Sequence, residues 1–243
     1  MGGATHPQSP LLLIPGTWLD GRLFAAQRRA LSAGYDVYLG DVSRSDSIEA
    51  MATDVLAEAP PRFALVGFSM GGIVALEIQR RAPERVTHLA LLDTTPRAEA
   101  PDRAHARVAA LAAVARGETE QLVRDTLAPN HLARGNRAHP GLIESVVRMA
   151  MDLGPDVFVR QSFALERRED REHLLPAIAC PTLVLCGAED RLCPVALHVA
   201  MAEVIPDADL MVLARAGHLS PLERPDAVTE QIRRLLSRTQ QEN

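Results

Sequence analysis

The stretch Leu65-Val66-Gly67-Phe68-Ser69-Met70-Gly71-Gly72 constrains this chain more than any other. Apolar residues precede it, a helical pattern follows it, and Ser69 stands in a Gly-x-Ser-x-Gly frame. Such a frame turns a strand sharply into a helix and holds the serine oxygen exposed at the top of a sheet. Glycine is needed two residues to either side because backbone approaches closely there and a Cβ would clash. The bare pattern arises by chance about 0.08 times in a chain of this length, and a serine between glycines could equally cap a helix. Its meaning therefore depends on what the rest of the chain supplies.

The flanking sequence supplies a sheet. Leu11 to Ile14 is apolar throughout and ends at Pro15-Gly16, which suits a strand buried on both faces. Tyr35 to Leu39, Phe63 to Phe68, Val86 to Leu92, Thr182 to Cys186 and Leu210 to Leu213 read as further strands. Helical patterns lie between them. Asp20 caps one running to about Ala33, and Ser45, Asp46 or Ser47 caps a second, closed by Pro60-Pro61. Met70 to Arg81, with Ile73, Leu76 and Ala75 facing inward, Pro194 to Val204 and Pro225 to Leu236 complete the set. Strands alternating with helices predict an α/β fold, a mostly parallel central sheet with helices on both faces. From about Arg97 to Leu175 the strands stop. That stretch is helical in period and broken at Gly117, Pro129-Asn130, Pro140-Gly141 and Gly154-Pro155. The expected division is a core of residues 1–96 and 176–243 and an all-helical insertion of residues 97–175.

Charge and composition remove several classes of function. With 26 basic and 31 acidic residues, interspersed, there is no basic footprint for nucleic acid. Aromatic residues at 3% provide no stacking platform for bases or sugars. No run approaches the ~20 apolar residues that span a bilayer, and residues 1–10 lack the charged-then-apolar order of a signal peptide. Cys180, Cys186 and Cys193 are odd in number and lack zinc-site spacing, so reduced thiols and no metal are expected. The expectation is a cytoplasmic protein with no nucleic-acid or membrane partner.

An activated serine needs a base within hydrogen-bond reach, and the base needs an orienting acid. Gly187-Ala188-Glu189-Asp190-Arg191 follows one late strand, and Ala216-Gly217-His218 follows the next. Both emerge at the carboxyl edge of the sheet, where reaction sites of open α/β sheets lie. The order serine, acid, histidine is the one expected on such a sheet. Asp190 is the preferred acid, with Glu189 and Asp93 as competitors. Asp93 closes the strand after the elbow, and Thr94-Thr95-Pro96 behind it favour its use as a turn cap.

Four segments carry a resemblance to the α/β-hydrolase fold family: Leu13-Ile14-Pro15-Gly16-Thr17-Trp18, the elbow, Pro181 to Asp190, and Gly217-His218-Leu219-Ser220-Pro221-Leu222-Glu223. The resemblance implies a carboxylesterase-like serine hydrolase with a catalytic triad: Ser69 as nucleophile, Asp190 as acid and His218 as base. It makes the helical insertion a cap over the site. The oxyanion hole would use the backbone N–H of Met70 and a second from Thr17 or Trp18, with Trp18 preferred. The sequence departs from the commonest pattern by placing Pro15-Gly16 where His-Gly is usual.

Cap residues would set specificity. Trp18, Leu127, Leu132, Ile143, Val147, Met151, Phe158 and Phe163 are candidates for the pocket, and Arg124, Arg148 and Arg160 could bind a substrate carboxylate. The expected substrate is a small or medium neutral ester, cleaved without a cofactor by a monomer or homodimer. The same triad could serve a C–C bond hydrolase or lyase, a cofactor-free haloperoxidase or perhydrolase, or a ligand receptor. A cap arginine facing Ser69 would favour the first of these.

Overall fold

The computed structural model describes residues 9–238. Residues 1–8, on which most of the signal-peptide reading rests, lie outside the described residues. Six strands form one sheet: β1 (Leu11–Ile14), β2 (Val37–Leu39), β3 (Phe63–Phe68), β4 (Val86–Leu92), β5 (Thr182–Gly187) and β6 (Ala208–Leu213). All neighbours are parallel, in the order β2-β1-β3-β4-β5-β6. The order reverses beside β1, whose two neighbours are β2 and β3. This places a crevice between the carboxyl ends of β1 and β3.

β1, β3, β4 and β5 are buried along their whole length, as continuous apolar runs in a covered parallel sheet must be. β2 is two residues shorter than its pattern, because the Tyr35 amide turns back to the Leu31 carbonyl and cannot join the ladder. β6 begins two residues earlier, where Ala208 pairs with Thr182.

The helices of the core are α1 (Ala25–Leu31), α2 (Ile48–Glu58), α3 (Met70–Arg81), α9 (Val195–Val204), α10 (Ser220–Glu223) and α11 (Pro225–Leu236). α1 and α11 contribute to the cluster on one face of the sheet, and α2, α3 and α9 to the cluster on the other. Ser47 caps α2 by accepting the Ala50 N–H, and Asp20 caps a 3-10 turn, Gly21–Phe24, that precedes α1. α3 corrects the expectation of a single inward face: Met70 to Gln79 are all buried, because sheet, α2 and Ala164 and Leu165 of the insertion share its cluster. Even Glu77 is fully covered, bonded to Arg80, Arg81 and Arg171. Burial acts to raise its pKa, and the three guanidinium bonds overcome this and hold it at about 2.

Between β4 and β5 the described chain forms no strand. It contains α4 (Pro101–Ala115), α5 (Thr119–Leu122), a π-helical turn Val123–Leu127, α6 (Ala128–His131), α7 (Pro140–Leu153) and α8 (Pro155–Glu166). The apolar sides of these helices, including Val114, Val123, Leu132, Val147 and Phe158, join the cluster that holds Trp18, Phe68 and Leu219. The insertion thus covers the carboxyl edge of the sheet. Its return is fastened by Arg171, whose amide donates to Pro96 and whose guanidinium reaches Glu49 and Glu77.

Candidate active site

Ser69 joins β3 to α3 with φ 52° and ψ −118°, a left-handed backbone rarely taken by a residue with a side chain. Such strain persists only where the surroundings over-determine it. The Ser69 amide donates to Leu92 O of β4 at 2.9 Å, and its carbonyl accepts the Thr94 hydroxyl at 2.6 Å. A Cβ on Gly67 would lie 2.4 Å from Gly71 O, and one on Gly71 2.2 Å from Ile14 O. Glycine at these two positions is what lets β3, α3 and the end of β1 converge.

His218 follows β6, and its Nε2 lies 2.9 Å from Ser69 Oγ. Its Nδ1 lies 2.9 Å from Asp190 Oδ2. With Nδ1–H donated to the carboxylate, Nε2 is the free acceptor for the serine hydroxyl. Asp190 Oδ1 also accepts the amides of Leu192 and Cys193, at 2.7 and 2.9 Å. Burial acts to raise the Asp190 pKa, but the charge and hydrogen bond of His218 and the two amides hold it below its ordinary value. The structure thus brings together Ser69, Asp190 and His218, from three turns far apart in sequence.

Asp93 corrects the turn-cap reading. It is completely buried, accepts the Gly187 amide at 2.9 Å and hydrogen-bonds Ser220 Oγ. It therefore ties the end of β4 to the loops after β5 and β6. Burial and the charge of Asp190 push its pKa well above the usual carboxylate range. Glu189 faces the insertion, accepting the Arg134 amide.

Three supporting residues carried no signal in the sequence. Thr94, behind the elbow, donates its amide to His198 Nε2 at 3.1 Å. His198, completely buried in α9, is pushed down to about 4 by that burial. His131, closing α6, places its ring 5.4 Å from that of His218, and its carbonyl accepts the His218 amide at 2.7 Å. Desolvation, with the nearby His218, pushes it down to about 3. Each depends on a contact across more than 80 residues of chain, which no local pattern announces.

The preference for Trp18 as an oxyanion donor is corrected. Trp18 has φ 57°, and its amide donates to Gln161 Oε1 at 2.7 Å, so that N–H is already spoken for. Thr17, the other candidate on this loop, is half-buried. Gly16 brings the loop to Ser69: a Cβ there would stand 3.1 Å from Ser69 Cβ.

Among the pocket candidates, Trp18, Leu132, Val147 and Phe158 are buried, with Leu127 and Ile143 packed against the same cluster. Trp18 stacks on Phe158 at 4.2 Å between ring centroids. Met151 and Phe163 are exposed at 43% and 36%, and Arg167 lies over the Phe163 ring. Both fall on the outer surface of their helices and outside the buried cluster, which corrects their place in the pocket. The three arginines are also occupied elsewhere: Arg124 by Glu120 and Glu144, Arg148 by Glu144, and Arg160 by the Ser43 carbonyl.

Cys180, Cys186 and Cys193 are buried and unpaired. Asp190, Cys193 and His218 bring ligand atoms within 4.8 Å of one another. Burial and the charge of Asp190 push the Cys193 thiol up, so it is a poor thiolate ligand. Among the described residues no helix is long and apolar enough to cross a membrane.

Comparison with known proteins gives a consistent picture. A sequence model of the alpha/beta hydrolase family matches residues 11–231. The pimeloyl-[acyl-carrier protein] methyl ester esterase of Xanthomonas oryzae pv. oryzae is 30% identical, over 93% of this chain and 94% of that one. Among solved structures, a thermophilic esterase from Thermogutta terrifontis superposes with a TM-score of 0.85 at 32% identity, covering 96% of this chain and 91% of its own. The enol-lactonase of Burkholderia xenovorans LB400 shares the fold, with a TM-score of 0.81 at 22% identity over 97% and 94%.

Proposed function

The chain belongs to the alpha/beta hydrolase family, and we infer that it hydrolyses esters through Ser69, His218 and Asp190. One observation carries the inference: the unbroken hydrogen-bonded series Ser69 Oγ, His218, Asp190, with both links at 2.9 Å. In the proposed mechanism His218 Nε2 takes the serine proton as Oγ attacks the ester carbonyl. Asp190 holds the ring in the correct tautomer and stabilises the imidazolium. The amides of Met70 and Thr17 receive the developing oxyanion. His218 then protonates the leaving alcohol, and water resolves the acyl-enzyme by the same route.

We take residues 97–175 as a cap over the core of residues 1–96 and 176–243, and the buried Trp18, Val147 and Phe158 with the half-buried Leu127 as the walls of an apolar acyl site. Those walls favour a small or medium neutral ester. The pairing of Arg124, Arg148 and Arg160 speaks against a carboxylate clamp, and so against cleavage of an acidic C–C substrate. A second reading is favoured by the name of the Xanthomonas oryzae relative: a methyl ester at the end of a carrier-borne acyl chain. We place the enzyme in the cytoplasm as a monomer or homodimer working without a cofactor.

A panel of p-nitrophenyl and methyl esters of graded acyl length, with Ser69→Ala as blank, tests the reading. Turnover that falls with acyl length supports the small-ester form; preference for a carrier-linked methyl ester supports the second. A fluorophosphonate probe that leaves Ser69 unlabelled overturns both.

A further inference from the structure

We propose that Gln161, on the insertion, is a positioning residue for the oxyanion loop, an inference that rests on the serine-hydrolase reading above. Gln161 is 1% exposed, and both ends of its amide are used. Oε1 accepts the Trp18 amide at 2.7 Å, and Nε2 donates to Val42 O at 3.1 Å. One side chain from α8 therefore bridges the loop after β1 and the loop after β2.

The bridge acts at a strained point. A non-glycine residue at positive φ costs on the order of 1–3 kcal/mol and needs surroundings that hold it. Trp18 is held three times from α8 and the turn before it. Gln161 takes its amide, Gly154 O accepts its indole N–H at 2.8 Å, and Phe158 stacks on its ring. The indole contacts fix where the side chain lies. Gln161 fixes the peptide plane between Thr17 and Trp18, because it engages the N–H of that plane. Turning the Trp18 amide toward the insertion sets the backbone of Thr17, which follows Gly16, and Gly16 stands so close to Ser69 that a Cβ on it would lie 3.1 Å from Ser69 Cβ. Without Gln161 the buried Trp18 amide would have no acceptor, which is costly. The cheapest escape is for Trp18 to relax to negative φ, and that rotation carries the Thr17 N–H away from its place. A donor displaced in this way weakens transition-state binding more than substrate binding.

The test compares Gln161→Leu, which removes both bonds at similar volume, with Gln161→Glu assayed at the acid end of the enzyme's pH range, where the buried acid is neutral and keeps both an acceptor for Trp18 and a donor for Val42 O. Arg160→Met serves as control, because it cuts a neighbouring tie from α8, to Ser43 O, that does not touch the loop. Readouts are kcat and KM on a p-nitrophenyl ester and the affinity of a trifluoromethyl ketone that mimics the tetrahedral intermediate. Q161L is expected to lose about 10²-fold in kcat with little change in KM, the usual scale for one oxyanion donor. Ketone affinity should fall in parallel, Q161E should recover most of both, and R160M should change neither. If Q161L does not fold, Gln161→Met is compared with Q161E in its place. Unchanged kcat in a folded Gln161 variant overturns the proposal, and so does a rise in KM alone. An increase in kcat overturns it too, since it would make Gln161 a plug of the site. A wild type that neither turns over nor labels with fluorophosphonate defeats the serine-hydrolase reading itself, so the two failures are distinct.

Discussion

Ser69 and Trp18 both carry positive φ, yet they are held in opposite ways. Ser69 is fixed mainly by backbone: its amide to β4, and two glycines that let β1, β3 and α3 meet. Trp18 is fixed by partners 136 to 143 positions away, and two of its three contacts are with side chains. The first arrangement is lost when a side chain is added at either glycine, and it tolerates a change of the Ser69 side chain itself. The second is built from exchangeable groups. The comparison teaches that the position of Ser69 belongs to the topology of the sheet, while the loop after β1 is held by the insertion.

The largest expected effect lies on the core side. Ser69→Ala should lower kcat by on the order of 10⁶ without altering the melting temperature; residual turnover near wild type would remove Ser69 from the chemistry. Next come the two buried acids. Asp190→Asn should cost about 10⁴ in kcat by presenting the wrong partner to His218 Nδ1. Asp93→Asn should leave kcat nearly intact, since the amide oxygen can still accept from Gly187 and the Ser220 hydroxyl, which donates to Asp93, can turn to accept from the amide nitrogen. Kinetics giving the reverse would move the triad acid to Asp93.

Acid should then separate stability from chemistry. His198 titrates near 6.5 when unfolded and near 4 when folded, so between these values the unfolded chain binds more protons. Its contribution is complete above about pH 6.5 and is lost as pH falls toward 4, up to about 3 kcal/mol at about 1.4 kcal/mol per unit. His131, pushed lower still, acts in the same direction. Thermal melts across this range should show the loss, and His198→Gln, which keeps an acceptor for Thr94, should flatten the slope. An equal slope in both proteins would clear His198. The smallest effect belongs to the insertion: Trp18→Phe removes the bond to Gly154 O and should cost about 1 kcal/mol in urea unfolding. A loss several times larger would mean that the insertion is as firmly built in as the elbow.

Much of the site could be read from the sequence because its members sit where strands end in glycine-bearing turns. Ser69 and Asp190 follow buried apolar runs, His218 follows the half-exposed edge strand β6, and chain order brings all three to one edge. The choice of Trp18 over Thr17 failed for a local reason. Counting along the loop places residues, but the direction of an N–H is set by φ, and φ at Trp18 is decided by an insertion residue. Asp93, Thr94, His198 and Gln161 were hidden for the same cause at longer range. Their roles exist only once β4, β5, α8 and α9 have packed. Met151 and Phe163 failed because an apolar residue on a helix carries no record of which side faces the core.

The join between β4 and β5 has a consequence in time. Leu92 pairs with Leu185, so the whole insertion is a loop that must close before the sheet can be completed. Closing about 90 residues costs roughly 4 kcal/mol of chain entropy, and contacts so distant in sequence form slowly. Strands β1 to β4, with the serine, can assemble on their own side of that gap, as they would on emerging from a ribosome. The base and the acid arrive only with β5 and β6. The nascent protein therefore carries Ser69 before the proposed base and acid can reach it, and turnover should return later than helical signal in a refolding experiment.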